Sequence, residues 1–443
     1  MKWKNGVKVV VIIVAVAFIM NYLLGVLNWK NATDNGIDIV EHFYETDEHT
    51  MDVIFYGSSH CFCTINNAIL WDEAKIASYN FTAGCQNIGN TYYYMKESLK
   101  TQSPKVMVVE MYYVTNNGYG TQGDVYRNTL GLNWSLDYIK NAKYTAGKSA
   151  YNDTTTELTL KLPIIHSRYQ ELTSLDFVDK KYYNRGFRSS WLSNEFVTPE
   201  ACVNDEIGVL SEENKYWIRQ MKELAAENNI DLVLFTAPYI LSPEAGFTYN
   251  ALAEFCKEEN IEYLDFNKRY LEIGFNYASD MWEKSHVNVY GSEKVTKYIC
   301  DYLTERYTFE SHASDERYEI WETNSLAWQH EKDNYRMKNI NNLQEYILNM
   351  PTDGYIYFIG QQDDFIEGGR FQAVENGNHI EEKGMVDVSK ETTIAFDENM
   401  VNIGGQEYPL GNASVTILLY DELLDELVDV VYCGDIASGE LFR

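Results

Sequence analysis

Two short stretches of this chain carry residue types that together can move a proton and make or break an ester. Gly57-Ser58-Ser59-His60 directly follows an apolar run at 51–56. A serine hydroxyl is a weak nucleophile until a base is positioned beside it. A strand-to-helix turn would present Ser59 at a sheet edge, with helix N-terminal N–H groups close to where negative charge develops. Serine is also a common helix N-cap, so the tetrapeptide alone specifies little. Glu283-Lys284-Ser285-His286-Val287-Asn288 supplies the second part. Imidazole titrates near neutrality and suits general-base work. A carboxylate three residues earlier can accept its other N–H across a tight turn, holding the tautomer and stabilising the imidazolium. Asp280 lies close enough in sequence to compete with Glu283 for that role.

The elements that must bring these stretches together alternate. Short β-rich runs at 51–56, 78–81, 105–110, 231–235 and 261–264 read as buried strands. Stretches at 66–75, 87–101, 211–228, 247–258 and 290–306 read as helices. Such alternation implies an α/β domain over 31–310: a parallel sheet with helices on both faces and its ligand site at the carboxyl ends of the strands. The polar, Tyr-rich stretch 111–210 interrupts the pattern and reads as an insertion over the sheet's edge or its active face. Within it, His166 and Arg168 are candidates to hold substrate, against the plainer reading of a structural ion pair. Thr236 and Tyr239, at the end of the strand 231–235, are candidates to line a pocket. His60, Gln86 and Asn288 lie in loops before helices and are further candidates for substrate contact.

Past about 310 the texture changes. A helix at 340–349 and short runs at 355–359, 371–374, 393–396, 414–420 and 427–432 are separated by Gly and Asn turns. They predict a smaller, mostly β accessory domain over 311–443. The acidic loop Gly360-Gln361-Gln362-Asp363-Asp364 lacks EF-hand spacing and reads as a solvated turn.

A net charge of −30 argues against nucleic-acid binding, which needs clustered Lys and Arg. The 35 tyrosines suit a sugar-lined groove as well as half-buried packing. Seven cysteines with no CxxC pair argue against a zinc ribbon or a thioredoxin motif, and most read as small buried hydrophobes. The odd count leaves at least one thiol free or paired between chains.

Residues 7–27 are almost wholly apolar, and about 20 such residues span a bilayer core. The run is longer than a signal-peptide core and has no small-residue cleavage site. It therefore predicts an uncleaved transmembrane helix within an anchor region 1–30. Lys2, Lys4 and Lys8 precede it, which predicts a single-pass protein in the cell membrane, N-terminus cytoplasmic and main domains extracytoplasmic.

The order of the motifs resembles the SGNH (GDSL-like) hydrolases. Gly57-Ser58-Ser59 follows the first strand, Gly84 follows the next, and Glu283-x-x-His286 precedes the last helix, trailed by Asn288 and Gly291. The layout is similar to that of teichoic-acid D-alanyl transfer proteins and cell-surface polysaccharide O-acetylation proteins, over about residues 50–305. The resemblance implies an SGNH/flavodoxin-like sheet with Ser59 as nucleophile, His286 as base and Glu283 as its orienter. It implies an oxyanion hole from Gly84 and the backbone N–H of Ser59, and no metal or organic cofactor. The implied substrate is a cell-surface glycan or polymer, and the implied partner a polytopic membrane O-acyltransferase. Three departures stand out: Ser58 and Glu283 each occupy a place that is usually Asp, and no Gly-x-Asn-Asp block follows 105–110. Gln86, Asn87 or Asn116 are left to supply a side-chain oxyanion donor. The expected activity is that of a serine O-acyltransferase or esterase. The alternatives are a non-catalytic accessory protein of the same fold and a glycan-binding protein that uses the insertion and the β domain.

Overall fold

The computed structural model describes residues 2–28, 36–116, 118–177, 183–312, 314–363, 365–367, 369–380, 384–389 and 392–443. The side chains of residues 2–7, 9, 10, 13, 17, 21, 174 and 175 also lie outside the description. The chain divides into two units, Met1–Asn324 and Ser325–Arg443.

The first unit is built on five strands: β1 (Val53–Tyr56), β2 (Ser78–Asn80), β3 (Val106–Glu110), β4 (Asp231–Thr236) and β5 (Glu262–Asp265). They pair in the order β2-β1-β3-β4-β5, parallel throughout. Parallel pairing requires crossovers, and helical crossovers cover both faces. The strand period of two then sorts the side chains. Ile54, Tyr56, Met107, Val109 and Leu234 join one core with Trp217, Ile218 and Met221 of the helix Glu212–Glu227. Val53, Phe55, Val106, Val108, Val233 and Phe235 join the other with Val295, Ile299 and Leu303 of the helix Val289–Arg306. β1 and β3 stay apolar until their carboxyl ends, where Gly57 and Glu110 stand, and there the candidate site residues lie.

The interrupting stretch 111–210 is more structured than its polarity predicts. Its helix Leu136–Lys148 packs on the helix Ile88–Ser98 through polar bonds: Asn90 Nδ2 reaches Asn141 Oδ1 and Thr145 Oγ1, each at 2.8 Å. A buried face that mixes Asn141 and Thr145 with Tyr138 and Ala142 blurs the apolar periodicity. The tail of the stretch then runs along the carboxyl edge of the sheet. Arg188 N–H donates to Phe62 O at 2.9 Å, Val289 N–H to Ser190 O at 3.0 Å and Asn194 N–H to Met281 O at 2.9 Å.

The first unit reaches Asn324, beyond the expected border near 310. Trp321 explains this: it is fully buried, stacks near Trp71 and donates from Nε1 to Ser78 O at 2.9 Å. Trp321 lies on a 21-residue helix, Glu319–Asn339, which sequence periodicity does not reveal.

The second unit holds two antiparallel sheets. One, ordered β14-β13-β6-β7-β8, is made of β6 (Tyr355–Gln361), β7 (Phe371–Glu375), β8 (Asn378–His379), β13 (Val415–Asp421) and β14 (Glu426–Cys433). The other, ordered β12-β11-β10-β9, is made of β9 (Gly384–Asp387), β10 (Thr393–Phe396), β11 (Met400–Ile403) and β12 (Gln406–Pro409). Every residue of β6 and β13 is buried. Tyr357, Ile359, Ile417 and Leu419 pack under Leu343 and Tyr346 of the helix Leu343–Asn349. Ile356, Phe358 and Leu418 pack against Ile394, Phe396 and Val401 of the smaller sheet. Of the acidic loop after β6, Asp364 lies outside the described residues.

Lys2–Leu27 is one helix of 26 residues. Val11, Ile12, Val14, Val16, Phe18 and Ile19 on it are exposed. Among the described residues, no helix is long and apolar enough to cross a membrane. The expected span 7–27 falls partly outside the described side chains. All seven cysteines are free thiols, and only Cys85 is partly exposed.

Candidate active site

β1 ends at Gly57, whose φ of +138° lies where side chains are disfavoured. A Cβ there would stand 2.7 Å from Cβ of Glu110, so only glycine lets the end of β1 approach the end of β3 this closely. Ser58 caps the helix Ser59–Thr64: its Oγ accepts from the N–H of His60 at 3.2 Å and donates to Glu110 Oε2 at 2.9 Å. Glu110 also accepts from the N–H of Tyr112 at 2.5 Å. Burial pushes the Glu110 carboxyl up to about 7, against the pull of its hydrogen bonds from Ser58 and Tyr112. The serine that stands where the resembled family has aspartate thus serves as a brace: it ties the turn carrying Ser59 to β3.

The second stretch folds back on itself. Met281 and Val287 form an antiparallel bridge, and the N–H of Trp282 donates to His286 O at 2.9 Å. This turn brings Nδ1 of His286 to 2.5 Å from Glu283 Oε1, while Nε2 lies 2.8 Å from Ser59 Oγ. The three side chains therefore stand in one hydrogen-bonded line across 227 residues of sequence. Burial lowers the His286 pKa below the ordinary imidazole value, and the Glu283 carboxylate opposes that shift. The imidazole is then neutral at neutral pH and free to accept the serine proton. Glu283 is half exposed, at 52%.

Asp280 is committed elsewhere. It is buried, accepting from the N–H of Asn276 at 2.7 Å and pairing with Lys294 at 2.6 Å. Asn288 caps the helix Val289–Arg306 and donates to Ser279 O at 2.8 Å, which anchors the loop. Gly84 lies beside Arg127, whose Nη1 would be 2.9 Å from a Cβ at that position. Gln86 is buried, and in the amide orientation that satisfies its neighbours it donates to Gly57 O at 3.2 Å and accepts from the N–H of Ala83 at 3.3 Å. It ties the two loops together. Asn87 spans the loop by bonding both N–H and C=O of Gly118, at 2.9 and 3.1 Å. Asn116 is exposed and bonds Thr115. Thr236 is fully buried against the Tyr263 hydroxyl at 2.6 Å.

His166 is exposed and bonds Pro163 O at 2.8 Å. Arg168 pairs with Asp176 at 2.6 Å and donates to Leu27 O at 3.2 Å. Arg168 thus ties this stretch to the end of the N-terminal helix, and none of these partners belongs to the Ser59–His286 line. His60 is the exception among the accessory candidates. Its ring stacks on Tyr112 at 3.7 Å, meets Tyr239 edge-on at 5.1 Å and lies 5.0 Å from the His286 ring.

Glu110 and Tyr112 went unrecognised in the sequence. The available signal was a carboxylate closing an otherwise apolar strand. Among the described residues, no group of three or more His, Cys, Asp or Glu side chains is placed to hold a metal ion.

No family model matches the chain, and no curated protein matches it. Among solved structures, a Bacteroides fragilis protein described as "a putative acylhydrolase" aligns with 63% of this chain and 98% of its own, at 14% identity and a TM-score of 0.31. That similarity is too slight to carry an argument about chemistry, which rests on the geometry above.

Proposed function

We propose that this protein is a serine-dependent acyl-transfer enzyme, an O-acyltransferase or esterase of the SGNH kind. The observation that carries the reading is the line Glu283–His286–Ser59, with contacts of 2.5 and 2.8 Å. His286 takes the proton of Ser59 through Nε2 as the hydroxyl attacks an acyl carbonyl. The same nitrogen returns that proton to the leaving alkoxide, which leaves an acyl-serine. In the second half His286 activates the acceptor. Water as acceptor gives hydrolysis, and a hydroxyl of a cell-surface glycan gives O-acylation.

The proposed setting is the outer face of a cell membrane, with the helix Lys2–Leu27 as anchor and a polytopic membrane O-acyltransferase as acyl donor. The apolar composition of that helix, its exposed apolar side chains and the lysines in its N-terminal turns support the anchor. The test is to expose the full chain in detergent to a fluorophosphonate and map the adduct. Ser59 is the expected site, and labelling that persists in Ser59→Ala would refute the assignment. Glycan acylation in cells carrying wild type or Ser59→Ala separates the enzyme from a non-catalytic accessory protein.

A further inference from the structure

Acyl transfer through Ser59 builds negative charge on the former carbonyl oxygen. Donors aimed at that oxygen usually contribute the largest single share of the rate enhancement. The side chains expected to help are spent. Gln86 bonds Gly57, Ala83 and Thr91, and Asn87 bonds Gly118 and Cys85. Asn116 is exposed and bonds Thr115. At the end of β3, Glu110 is an acceptor for Ser58 and Tyr112 rather than a donor.

His60 remains. It follows the nucleophile in the chain, and the Ser58 cap fixes its backbone. Its ring is flanked by Tyr112, Tyr239 and His286, and only 3% of the residue is exposed. Among the described residues, neither ring nitrogen of His60 has a hydrogen-bond partner in the protein. An unspent ring N–H on a side chain this buried calls for an explanation, and a catalytic role is one. Stacking on Tyr112 at an interplanar angle of 17° holds the ring orientation without using either nitrogen. Burial and the neighbouring His286 hold the His60 pKa well below the ordinary range. A neutral imidazole carries one N–H and can polarise a carbonyl without giving up its proton.

We propose that His60 donates its ring N–H to the oxyanion formed when Ser59 attacks the acyl carbonyl. This rests on the reading of Ser59 as nucleophile. The Ser59 Oγ–carbon bond forms, the carbonyl π pair moves onto oxygen, and the serine proton passes to His286. The His60 proton stays on His60, which stabilises the charge until the leaving alkoxide departs with the proton from His286. His60 is then a catalytic residue distinct from the triad base 5.0 Å away.

The test uses the full chain in detergent, with p-nitrophenyl acetate turnover and the rate of fluorophosphonate labelling at Ser59 as readouts. His60→Phe keeps a flat ring against Tyr112 and removes the N–H. Its kcat and labelling rate are expected to fall about 10²–10³-fold with KM little changed. His60→Gln or His60→Asn, which restore a neutral N–H, are expected to regain at least about tenfold of that loss. A His60→Phe protein within about threefold of wild type would overturn the proposal. So would equal losses in all three variants accompanied by equal falls in Tm, which would mark a packing role. Wild-type protein that neither turns over nor labels at Ser59 would sink the nucleophile, and the oxyanion role with it. Labelling at Ser59 combined with an indifferent His60→Phe would sink only the latter.

Discussion

The carboxyl edge of the parallel sheet and the antiparallel C-terminal unit each hold a histidine bonded through Nδ1 to a carboxylate. His286 meets Glu283 at 2.5 Å, and His330 meets Asp421 at 2.9 Å. The resemblance ends at the other nitrogen. Nε2 of His286 reaches a serine hydroxyl at 2.8 Å. The ring of His330 stacks flat on Tyr355 at 4.7 Å, and its Cε1 would lie 2.7 Å from a Cβ at Gly354. Among the described residues, no hydroxyl or thiol bonds Nε2 of His330. Asp421 is also fully buried and accepts from Asn334 and from the N–H groups of Leu423 and Leu424, so it organises the turn after β13.

A third pair, His312 with Asp52 at 2.7 Å, is stacked on Tyr318 at 3.8 Å. It borders a cavity of about 1150 Å³ that shares no residue with the triad. Cavity size and a histidine–carboxylate bond are therefore insufficient marks of a reactive centre. The deciding feature is a nucleophile on the far nitrogen, presented by a braced turn.

The sharpest way to break the contrast is Ser59→Ala. It should lower p-nitrophenyl acetate turnover by about 10³-fold or more with unchanged Tm. A variant retaining more than a tenth of wild-type kcat would show that the line of contacts is only structural. Glu283→Gln should cost less, about 10–100-fold in kcat, because the carboxylate is half exposed and screened. It also has a directional consequence. Glu283 raises the His286 pKa against burial, so its removal should shift the acid limb of the kcat/KM profile to still lower pH. In wild type that limb should already lie below the ordinary imidazole value of 6.5.

Glu110→Gln probes the brace. The carboxyl titrates at 4.5 in the unfolded chain and about 7 in the folded one. Between those values the folded protein holds the extra proton, so stability falls as pH rises and levels off above about 7. A gap of that size corresponds to about 3 kcal/mol. Denaturant titrations at pH 5 and pH 8 should show the slope in wild type and a smaller one in the variant. An identical slope in both would mean that Glu110 does not carry this linkage. The smallest effect belongs to the comparison pair. His330→Ala should leave kcat unchanged and cost about 1–3 kcal/mol of stability by leaving Asp421 short of a partner. Loss of turnover at full stability would end the distinction between the two histidines.

The parallel sheet was legible because β1, β3 and most of β4 are buried on both faces and read as apolar runs, while amphipathic helices separate them. Ser59 was legible as a candidate because it sits just beyond β1, and His286 because it stands just before the helix Val289–Arg306, where a turn is required. The helix Leu136–Lys148 and the helix Glu319–Asn339 were not. The first interleaves buried Asn141 and Thr145 with Tyr138 and Ala142, and the second packs through isolated aromatics such as Trp321, so in each the apolar stripe is broken. The accessory candidates divided for a similar reason. A polar residue type in a loop does not say whether its bonds run to substrate or to the neighbouring backbone. Gln86, Thr236 and Asn288 spend their side chains within the protein, and among the described residues the ring nitrogens of His60 do not.

By itself, then, the sequence determined the layer architecture, the order of the α/β elements and the two turns where a nucleophile and a base can stand, because burial and periodicity are local properties. Tertiary structure decided the rest. It chose Glu283 over Asp280 for His286, since Lys294 and the Asn276 N–H engage Asp280. It set Glu110 beneath Ser58 by bringing the ends of β1 and β3 together at Gly57, and it left His60 beside His286 with both ring nitrogens unspent among the described residues. Each of these outcomes depends on which polar groups meet after the chain closes, and hydrogen-bond partners far apart in sequence leave no periodic trace within it.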